Sequence, residues 1–451
     1  MKKLFASISI LVALALVLAG SPCAAEPGAG NDGTFRVLTG DGVSLALVRY
    51  RPAESASFRD GGQPVILMSA TGTNCNEFDI RTPPGERYGL TLPEPLPDWA
   101  DGDRCIRDDP MKLYSLAYFL YDQGFDVWLS NYRGQGRQPN RSDQRLDASI
   151  DDLAVYDMPA IVGFVSSQTG RKPVWIGHSL GAMMAYMYLQ GASYGSGPDP
   201  HVVSDPTKTA ERNNGNGSEA LLGLVSLDGP SNLAPSRRGT PRAAWRVLAG
   251  DGYIDVRLIA RALGERAILP LLLFKKVVWA MDPLLPDPIE QSLKRIFPCV
   301  NPSNIEPDVG RYLAEYSVDG FHYGITSQLL DSAVIGGLRE HFRNGPGNSE
   351  VVVPPPRREA DGYYCYTDNL SKLSLPALLL ADATTDTTSP EDVRRVCEGK
   401  TPNELDAFRV VEGTAHVDLV CGLDAPRETF PVIGEWLRGL DGGESGHGPG
   451  E

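Results

Sequence analysis

Short apolar runs alternate along the chain with longer stretches in which apolar residues recur every three or four positions. The short runs favour buried strands, and the periodic stretches favour helices. This alternation is typical of an α/β domain with a mostly parallel sheet and helices on both faces. Strands are predicted at residues 64–70, 126–131, 173–176, 221–227, 375–381 and 407–411, after a leading hairpin at residues 35–51. Helices are predicted at residues 110–123, 150–167, 180–190, 391–398 and 429–437.

Three segments interrupt this rhythm. Residues 76–109 are rich in proline, glycine and acidic residues and predict an inserted loop, with a disulfide between the flanking Cys75 and Cys105. Residues 191–219 are polar and partly of low complexity, which predicts a mobile surface loop. Residues 231–374 separate two predicted strands by far more than a connection needs, which indicates an inserted, mainly helical cap. The predicted core therefore comprises residues 26–230 and 375–440, and residues 441–451 are predicted to be a disordered tail.

The first 25 residues carry an export pattern. Lys2 and Lys3 precede an apolar run at residues 4–19, and Cys23-Ala24-Ala25 follows it. This pattern predicts a signal peptide cleaved near Ala25 and a secreted or extracytoplasmic mature protein. The apolar run is short for a membrane span, and an uncleaved N-terminal anchor is the alternative.

Charge changes the list of expected partners. The 451 residues carry a formal net charge of −15, and no basic cluster is visible. A chain of this charge is not expected to bind nucleic acid or to adhere electrostatically to an anionic membrane. The cysteines lack the spacing of a zinc site, so neither a metal nor another cofactor is expected.

Residues 174–181 carry the most informative motif of the chain. Three apolar residues run into Gly177-His178-Ser179-Leu180-Gly181, and a helical pattern follows. A strand that turns sharply into a helix presents the central serine above the sheet, and glycines are needed where the backbone folds back on itself. Residues 191–195 repeat the pattern around Ser193, but no strand precedes them. We therefore predict Ser179 as a nucleophile and Ser193 as a loop serine.

A serine nucleophile needs a base, and histidine is the usual one. His416 is favoured because it follows the predicted strand 407–411, where a side chain reaches the carboxyl edge of the sheet. The other histidines lie in the motif itself, the polar loop, the cap and the tail, at positions 178, 201, 322, 341 and 447. An orienting carboxylate is expected between Ser179 and His416 in chain order. Asp386 is favoured because it lies several residues beyond its strand, and Asp382 is the alternative.

Six cysteines remain after removal of the predicted signal peptide: Cys75, Cys105, Cys299, Cys365, Cys397 and Cys421. An even number in an exported protein favours disulfides, although six cysteines allow 15 pairings. We hypothesise a Cys397–Cys421 bridge, since it would join the loop that carries Asp386 to the loop that carries His416.

Five segments of the chain match one family pattern: residues 115–120 and 124–134, 156–161 before the nucleophile, 324–330 in the cap and 415–422 around the histidine. Together these segments resemble the acid lipases of the gastric and lysosomal type. The resemblance implies a capped α/β-hydrolase fold that hydrolyses lipid esters, with Ser179, Asp386 and His416 as the triad. It also implies an oxyanion hole formed by the backbone amides of Thr73 and Leu180. Two side chains depart from the family pattern, because Thr71-Gly72 replaces His-Gly and Leu180 replaces glutamine.

The sequence therefore predicts a secreted serine hydrolase that cleaves carboxylic esters, lipid esters in particular, through an acyl-enzyme. Its expected partners are a small-molecule or lipid ester and, transiently, a lipid interface. The apolar residues 267–274 of the cap are expected to contribute to an acyl channel. The alternatives are an esterase or acyltransferase for non-lipid esters and, more remotely, a catalytically silent binding protein of the same fold.

Overall fold

The computed structural model describes residues 33–52, 62–196, 201–232, 252–263, 299–301, 303–342, 362–383 and 388–442. The predicted signal peptide, residues 267–274 of the cap, Asp386 and residues 443–451 of the predicted tail lie outside the described residues. No helix within these ranges is long and apolar enough to cross a membrane.

A large, mostly parallel sheet forms the centre of the described chain. Its eight strands are β1 (Thr34–Leu38), β2 (Ser44–Tyr50), β3 (Pro64–Met68), β4 (Asp126–Asn131), β5 (Val174–His178), β8 (Gly223–Leu227), β11 (Ala377–Asp382) and β12 (Ala407–Val411). The order across the sheet is β1-β2-β4-β3-β5-β8-β11-β12. Strands β1 and β2 form an antiparallel hairpin, β2 pairs antiparallel with β4, and every later pair is parallel. The predicted hairpin and all six predicted strands are confirmed, with boundaries within two residues.

Helices cover both faces of the sheet, as predicted. They are α1 (Arg104–Asp108), α2 (Leu116–Asp122), α3 (Ile150–Asp152), α4 (Met158–Thr169), α5 (Leu180–Leu189), α6 (Pro206–Arg212), α7 (Arg257–Leu263), α8 (Pro307–Tyr312), α9 (Tyr323–Ile335), α10 (Pro390–Gly399), α11 (Asp418–Cys421), α12 (Ala425–Glu428) and α13 (Phe430–Gly442). Every residue of α5 is buried, because this helix packs between the sheet and neighbouring helices. Helix α13 extends two residues into the predicted tail.

The polar segment at residues 191–219 is ordered where it is described, so the prediction of a mobile loop is wrong there. It forms a small antiparallel sheet of β6 (Ala192–Tyr194) and β7 (Val202–Ser204), followed by α6. The Arg212 side chain is buried and donates to the carbonyls of Tyr188 and Ala192. Composition alone did not reveal this arginine, whose buried hydrogen bonds anchor the segment to the end of α5.

Residues 76–109 form part of a third apolar cluster that joins the core to the cap. Ile80 and Ile106 of this segment pack with Val309 and Tyr312 of α8. The hydroxyl of Tyr312 donates a hydrogen bond of 2.7 Å to the Asp79 carbonyl. The inserted segment therefore attaches the cap to the sheet domain through a packed interior.

The predicted disulfides are absent from the structure. Cys75 is a buried free thiol, and Cys105 is free and exposed on α1. Cys397 and Cys421 are also free thiols. Cys397 packs beside the apolar cluster under α10, whereas Cys421 is buried in the cluster shared with the cap. Cys397 and Cys421 are only 24 positions apart in the sequence, but their side chains pack against different apolar clusters.

The described part of the cap includes strands as well as helices. Strand β9 (Tyr253–Asp255) pairs antiparallel with β10 (Gly320–His322). Arg257 donates to the Asp319 carboxylate at 2.9 Å and to the Gly134 carbonyl of the core at 2.8 Å. Buried charge-assisted hydrogen bonds of this kind hold the small cap sheet against the loop that follows β4.

His322 is a deeply buried titratable group of this interface. It lies against Gly134, where an added Cβ would be 2.6 Å from the imidazole Cε1. Neither ring nitrogen has a hydrogen-bond partner among the described residues. Burial, together with the nearby positive charges of Arg133 and Arg257, lowers the pKa of His322 to about 3.

Acidification should weaken folding through His322. Between its ordinary pKa and its folded pKa, the unfolded chain takes up a proton that the folded protein does not, so stability falls as the pH falls. At pH 5 the loss relative to pH 7 should be roughly 2 kcal/mol from this residue. We expect His322→Phe to show a correspondingly smaller pH dependence in urea unfolding. His201→Phe, at a largely exposed position, is the control, and an unchanged pH slope in His322→Phe would contradict the assignment.

Candidate active site

Ser179 occupies the sharp turn between β5 and α5 that the sequence predicts. Its backbone has φ 51° and ψ −111°, a conformation that costs a non-glycine residue free energy. A Cβ added at Gly177 would lie 2.3 Å from the Gly181 carbonyl carbon, and one added at Gly181 would lie 2.3 Å from the Met68 carbonyl oxygen. Both glycines are therefore required by close backbone approach, which confirms the predicted strand-turn-helix geometry.

The second copy of the motif has no such geometry. Ser193 lies on strand β6, not in a loop as predicted. Its hydroxyl donates to the Gly191 carbonyl and accepts from the Lys208 ammonium. Ser193 therefore has a structural environment with no adjacent base.

His416 lies beyond β12, at the carboxyl edge of the sheet, as predicted. Its imidazole is buried, and its Nδ1 atom is hydrogen-bonded to the Asp228 carboxylate. Burial alone would lower the pKa of His416, but the charge and hydrogen bond of Asp228 raise it above its ordinary value. The same pairing lowers the pKa of Asp228 despite the opposing effect of burial. The pair therefore favours an ionised carboxylate and a basic imidazole.

Asp228 directly follows β8, the strand next to β5, and the amide of Ser179 donates to the Leu227 carbonyl at 2.9 Å. This places Asp228 beside the serine turn, and its own backbone has a positive φ of 53°. Sequence reasoning missed this residue. The signal was present, since an aspartate followed by Gly-Pro directly ends a buried strand. Asp228 follows the earlier strand β8, whereas the two carboxylates predicted from the sequence come at or after the end of β11, the strand nearer to His416.

The two carboxylates that the sequence analysis offered as the orienting group are Asp386 and Asp382. Asp386 lies outside the described residues, so its role stays a prediction. Asp382 is fully buried at the end of β11, and its amide lies 3.4 Å from Asp228 Oδ1. The Thr388 hydroxyl donates to Asp228 Oδ2 and also lies 3.4 Å from Asp382 Oδ2. Asp382 is thus part of the surroundings of Asp228 and not a turn residue exposed to solvent.

The backbone amides of Thr73 and Leu180, the oxyanion donors expected from the family resemblance, differ in their local surroundings. Leu180 is the first residue of α5, and first-turn amides have no acceptor within their helix. Thr73 pairs with Val318 of the cap in an antiparallel bridge. Its two neighbours make the flanking hydrogen bonds, from Asn74 N to Ser317 O at 3.0 Å and from Asp319 N to Gly72 O at 2.8 Å. The Thr73 amide therefore points away from the cap segment, and its contact within the loop is a long one of 3.4 Å to Ala70 O.

Three potential ligand atoms meet at this edge of the sheet. One atom each from Asp228, Asp382 and His416 lies within 4.8 Å of the others. However, the Asp228 oxygen and His416 Nδ1 are in direct hydrogen-bond contact, which leaves no space for a cation between them. The arrangement suits an ionised carboxylate that orients an imidazole and stabilises its protonated form.

The sheet order and the strained serine turn define an α/β-hydrolase fold. Residues 106–204, which include β4, β5 and the serine turn, match the family described as the alpha/beta hydrolase fold. The fold class predicted from the sequence is therefore confirmed.

The sequence resembles acid lipases over part of its length. It is 35% identical to the gastric triacylglycerol lipase of Rattus norvegicus over 160 residues, 34% of this chain and 33% of that protein. It is 38% identical to lipase member K of Homo sapiens over 80 residues, 16% of this chain and 20% of that protein. The chain thus spans a third or less of the length of these two relatives.

Solved structures align over more of the chain. A thermophilic esterase from Thermogutta terrifontis covers 90% of this chain with 99% of its own, at 15% identity and a TM-score of 0.43. A monoacylglycerol lipase from Paleococcus ferrophilus covers 88% of this chain with 99% of its own, at 15% identity and a TM-score of 0.44.

Proposed function

We propose that this protein hydrolyses carboxylic esters, lipid esters in particular, through an acyl-enzyme formed on Ser179. One observation carries the proposal: a strained serine turn lies on the strand next to the one that ends in the carboxylate paired with His416. A nucleophile, a base and an orienting group at one sheet edge are the parts that serine catalysis requires.

The roles follow from the chemistry of each group. With Nδ1 of His416 bound to Asp228, Nε2 is the nitrogen that accepts the Ser179 proton. The serine oxygen bonds to the ester carbonyl carbon, and the alcohol leaves with that proton. Water then attacks the acyl-enzyme and gives one proton to His416. His416 returns this proton to the Ser179 oxygen as the carboxylic acid is released, which restores the free serine. We propose Asp228 as the orienting carboxylate, and Asp386 is the alternative from the sequence.

The negative oxygen of each tetrahedral intermediate needs hydrogen-bond donors. We propose the amides of Thr73 and Leu180, since both belong to segments beside the serine turn and neither depends on its side chain for this role. Preorganised backbone donors stabilise such an oxyanion strongly because they need no reorganisation. The replacement of glutamine by leucine at position 180 is therefore compatible with catalysis.

The substrate class and the location of the protein rest on different support. The names of the relatives, which include a gastric triacylglycerol lipase, favour lipid esters. Secretion, followed by transient contact with a lipid interface, is proposed from the N-terminal residues 1–25.

A fluorophosphonate probe and a chromogenic ester series test the proposal. We expect the probe to modify Ser179 alone, as read by peptide mass spectrometry. We also expect medium or long acyl esters to react faster than acetate, since each buried methylene of the acyl chain contributes about 0.8 kcal/mol. A decline of kcat/KM from acetate onward would contradict the lipase assignment and leave a general esterase.

Two further outcomes discriminate the rival functions. Failure of the probe to label any serine would favour a catalytically silent binding protein. Rapid transfer of the acyl group to an added alcohol, in preference to water, would favour an acyltransferase that uses the same intermediate.

A further inference from the structure

A second carboxylate–imidazole pair lies directly beside His416. Glu77 and His178 are both buried, and Glu77 Oε1 is hydrogen-bonded to His178 Nδ1. The rings of His178 and His416 lie 4.7 Å apart between centroids. Neither Glu77 nor His178 has a role in the acyl-transfer steps proposed above, which rest on Ser179 and its partners.

Both ring nitrogens of His178 face acceptors that carry no proton. Nδ1 contacts the Glu77 carboxylate, and Nε2 lies 3.0 Å from the backbone carbonyl of His416. The positive charge of His178 and its hydrogen bond lower the pKa of Glu77 below its ordinary value, although burial alone would raise it. His178 therefore contacts an acceptor on each side of its ring, one from Glu77 and one from the loop that carries His416.

The second oxygen of Glu77 binds the loop at residues 70–77, which carries the proposed oxyanion donor Thr73. Glu77 Oε2 accepts from the Thr73 hydroxyl and, at 3.4 Å, from the Ala70 amide. The amide of Glu77 itself donates to the Asn74 carbonyl at 3.0 Å. A continuous chain of hydrogen bonds thus runs from Thr73 through Glu77 and His178 to the loop that carries the base.

We infer that Glu77 and His178 are positioning residues that fix the Thr73 amide and the His416 loop relative to each other. This inference rests on the proposed function. The His178 ring contacts the Glu77 carboxylate through one nitrogen and the His416 carbonyl through the other, so it clamps two loops that are distant in sequence. An error of about 1 Å in the position of a catalytic group costs on the order of 100-fold in rate.

Glu77→Gln tests the clamp, because glutamine retains an acceptor for Thr73 but removes the charge that binds His178. We expect kcat to fall about 10- to 100-fold with KM within about twofold of wild type, since the lost interaction acts on the transition state. The matched control is Asp126→Asn. Asp126 is equally buried and pairs with Arg49 at 2.6 Å and 2.8 Å, but it lies at the opposite, amino end of its strand β4. Its loss should reduce thermal stability and leave kcat unchanged.

Thr73→Val supplies a second variant that keeps the test decisive even where Glu77→Gln yields no folded protein. We expect it to lower kcat about 10-fold, and we expect Thr73→Ser to restore the wild-type value. In the double variant the losses of Glu77→Gln and Thr73→Val should not add, because both break one chain of contacts.

Additive losses, or a Glu77→Gln enzyme with the kcat of the Asp126→Asn control, would overturn the inference. The fluorophosphonate probe separates this failure from failure of the proposed function. Wild-type rates of Ser179 labelling in the Glu77→Gln protein would refute the clamp alone. Absence of labelling in the wild-type protein would refute the proposed hydrolase.

Discussion

Replacing Ser179 with alanine is expected to lower kcat for ester hydrolysis by about 10⁴-fold or more, because no other described serine occupies a strained turn beside a paired histidine. The protein should remain folded, since alanine removes one hydroxyl and retains the backbone turn. Steady-state assays with a chromogenic ester, and circular dichroism for folding, are the measurements.

Ser193→Ala is the matched control for this prediction. The same glycine-serine-glycine pattern surrounds Ser193, but its hydroxyl binds Gly191 and Lys208 on a short strand. Its replacement should leave kcat within about twofold of wild type. Substantial activity in Ser179→Ala, or a large loss in Ser193→Ala, would refute the assignment of the nucleophile.

The second large effect is expected at Asp228. Asp228→Asn should lower kcat about 10³- to 10⁴-fold, because an amide at this position no longer stabilises the imidazolium or selects the productive tautomer of His416. The pH at which kcat is half-maximal should also shift down, since the charge of Asp228 raises the pKa of His416. Kinetics over a pH range measure both effects.

Asp386→Asn and Asp382→Asn are the comparisons for Asp228→Asn. We expect Asp386→Asn to retain most of its activity. Asp382→Asn should also keep a working triad, because Nδ1 of His416 is paired with Asp228 and the Asp382 amide that contacts Asp228 is unchanged by the substitution. An Asp386→Asn enzyme that is more impaired than Asp228→Asn would instead establish the carboxylate expected from the acid lipase resemblance.

Much of the sheet domain was predictable because its signals are local. Strand β3 is a fully buried apolar run, and a run of this kind between turn residues has few alternatives to a central parallel strand. The serine turn was equally local, since Gly177 and Gly181 have a steric reason that depends on the backbone alone. The position of His416 followed from the strand before it.

The identity of its carboxylate partner could not be predicted in the same way. Asp228 and His416 are 188 positions apart, and only the order of strands in the sheet brings β8 and β12 to opposite sides of β11. The expected disulfides failed for a similar reason, because sequence spacing does not show which interior each cysteine enters. The order of residues 191–219 depended on Arg212, which binds the Glu219 carboxylate and two backbone carbonyls that composition does not reveal.

The antiparallel bridge between Thr73 and Val318 joins the core to the segment predicted as a cap. The loop at residues 70–77 takes part of its backbone hydrogen bonding from residues 317–319, so these two regions are not independent modules for recombination. A cap segment exchanged between homologues would carry its own edge partner for this loop. Engineered chimeras therefore need to transfer residues 70–77 together with residues 317–319.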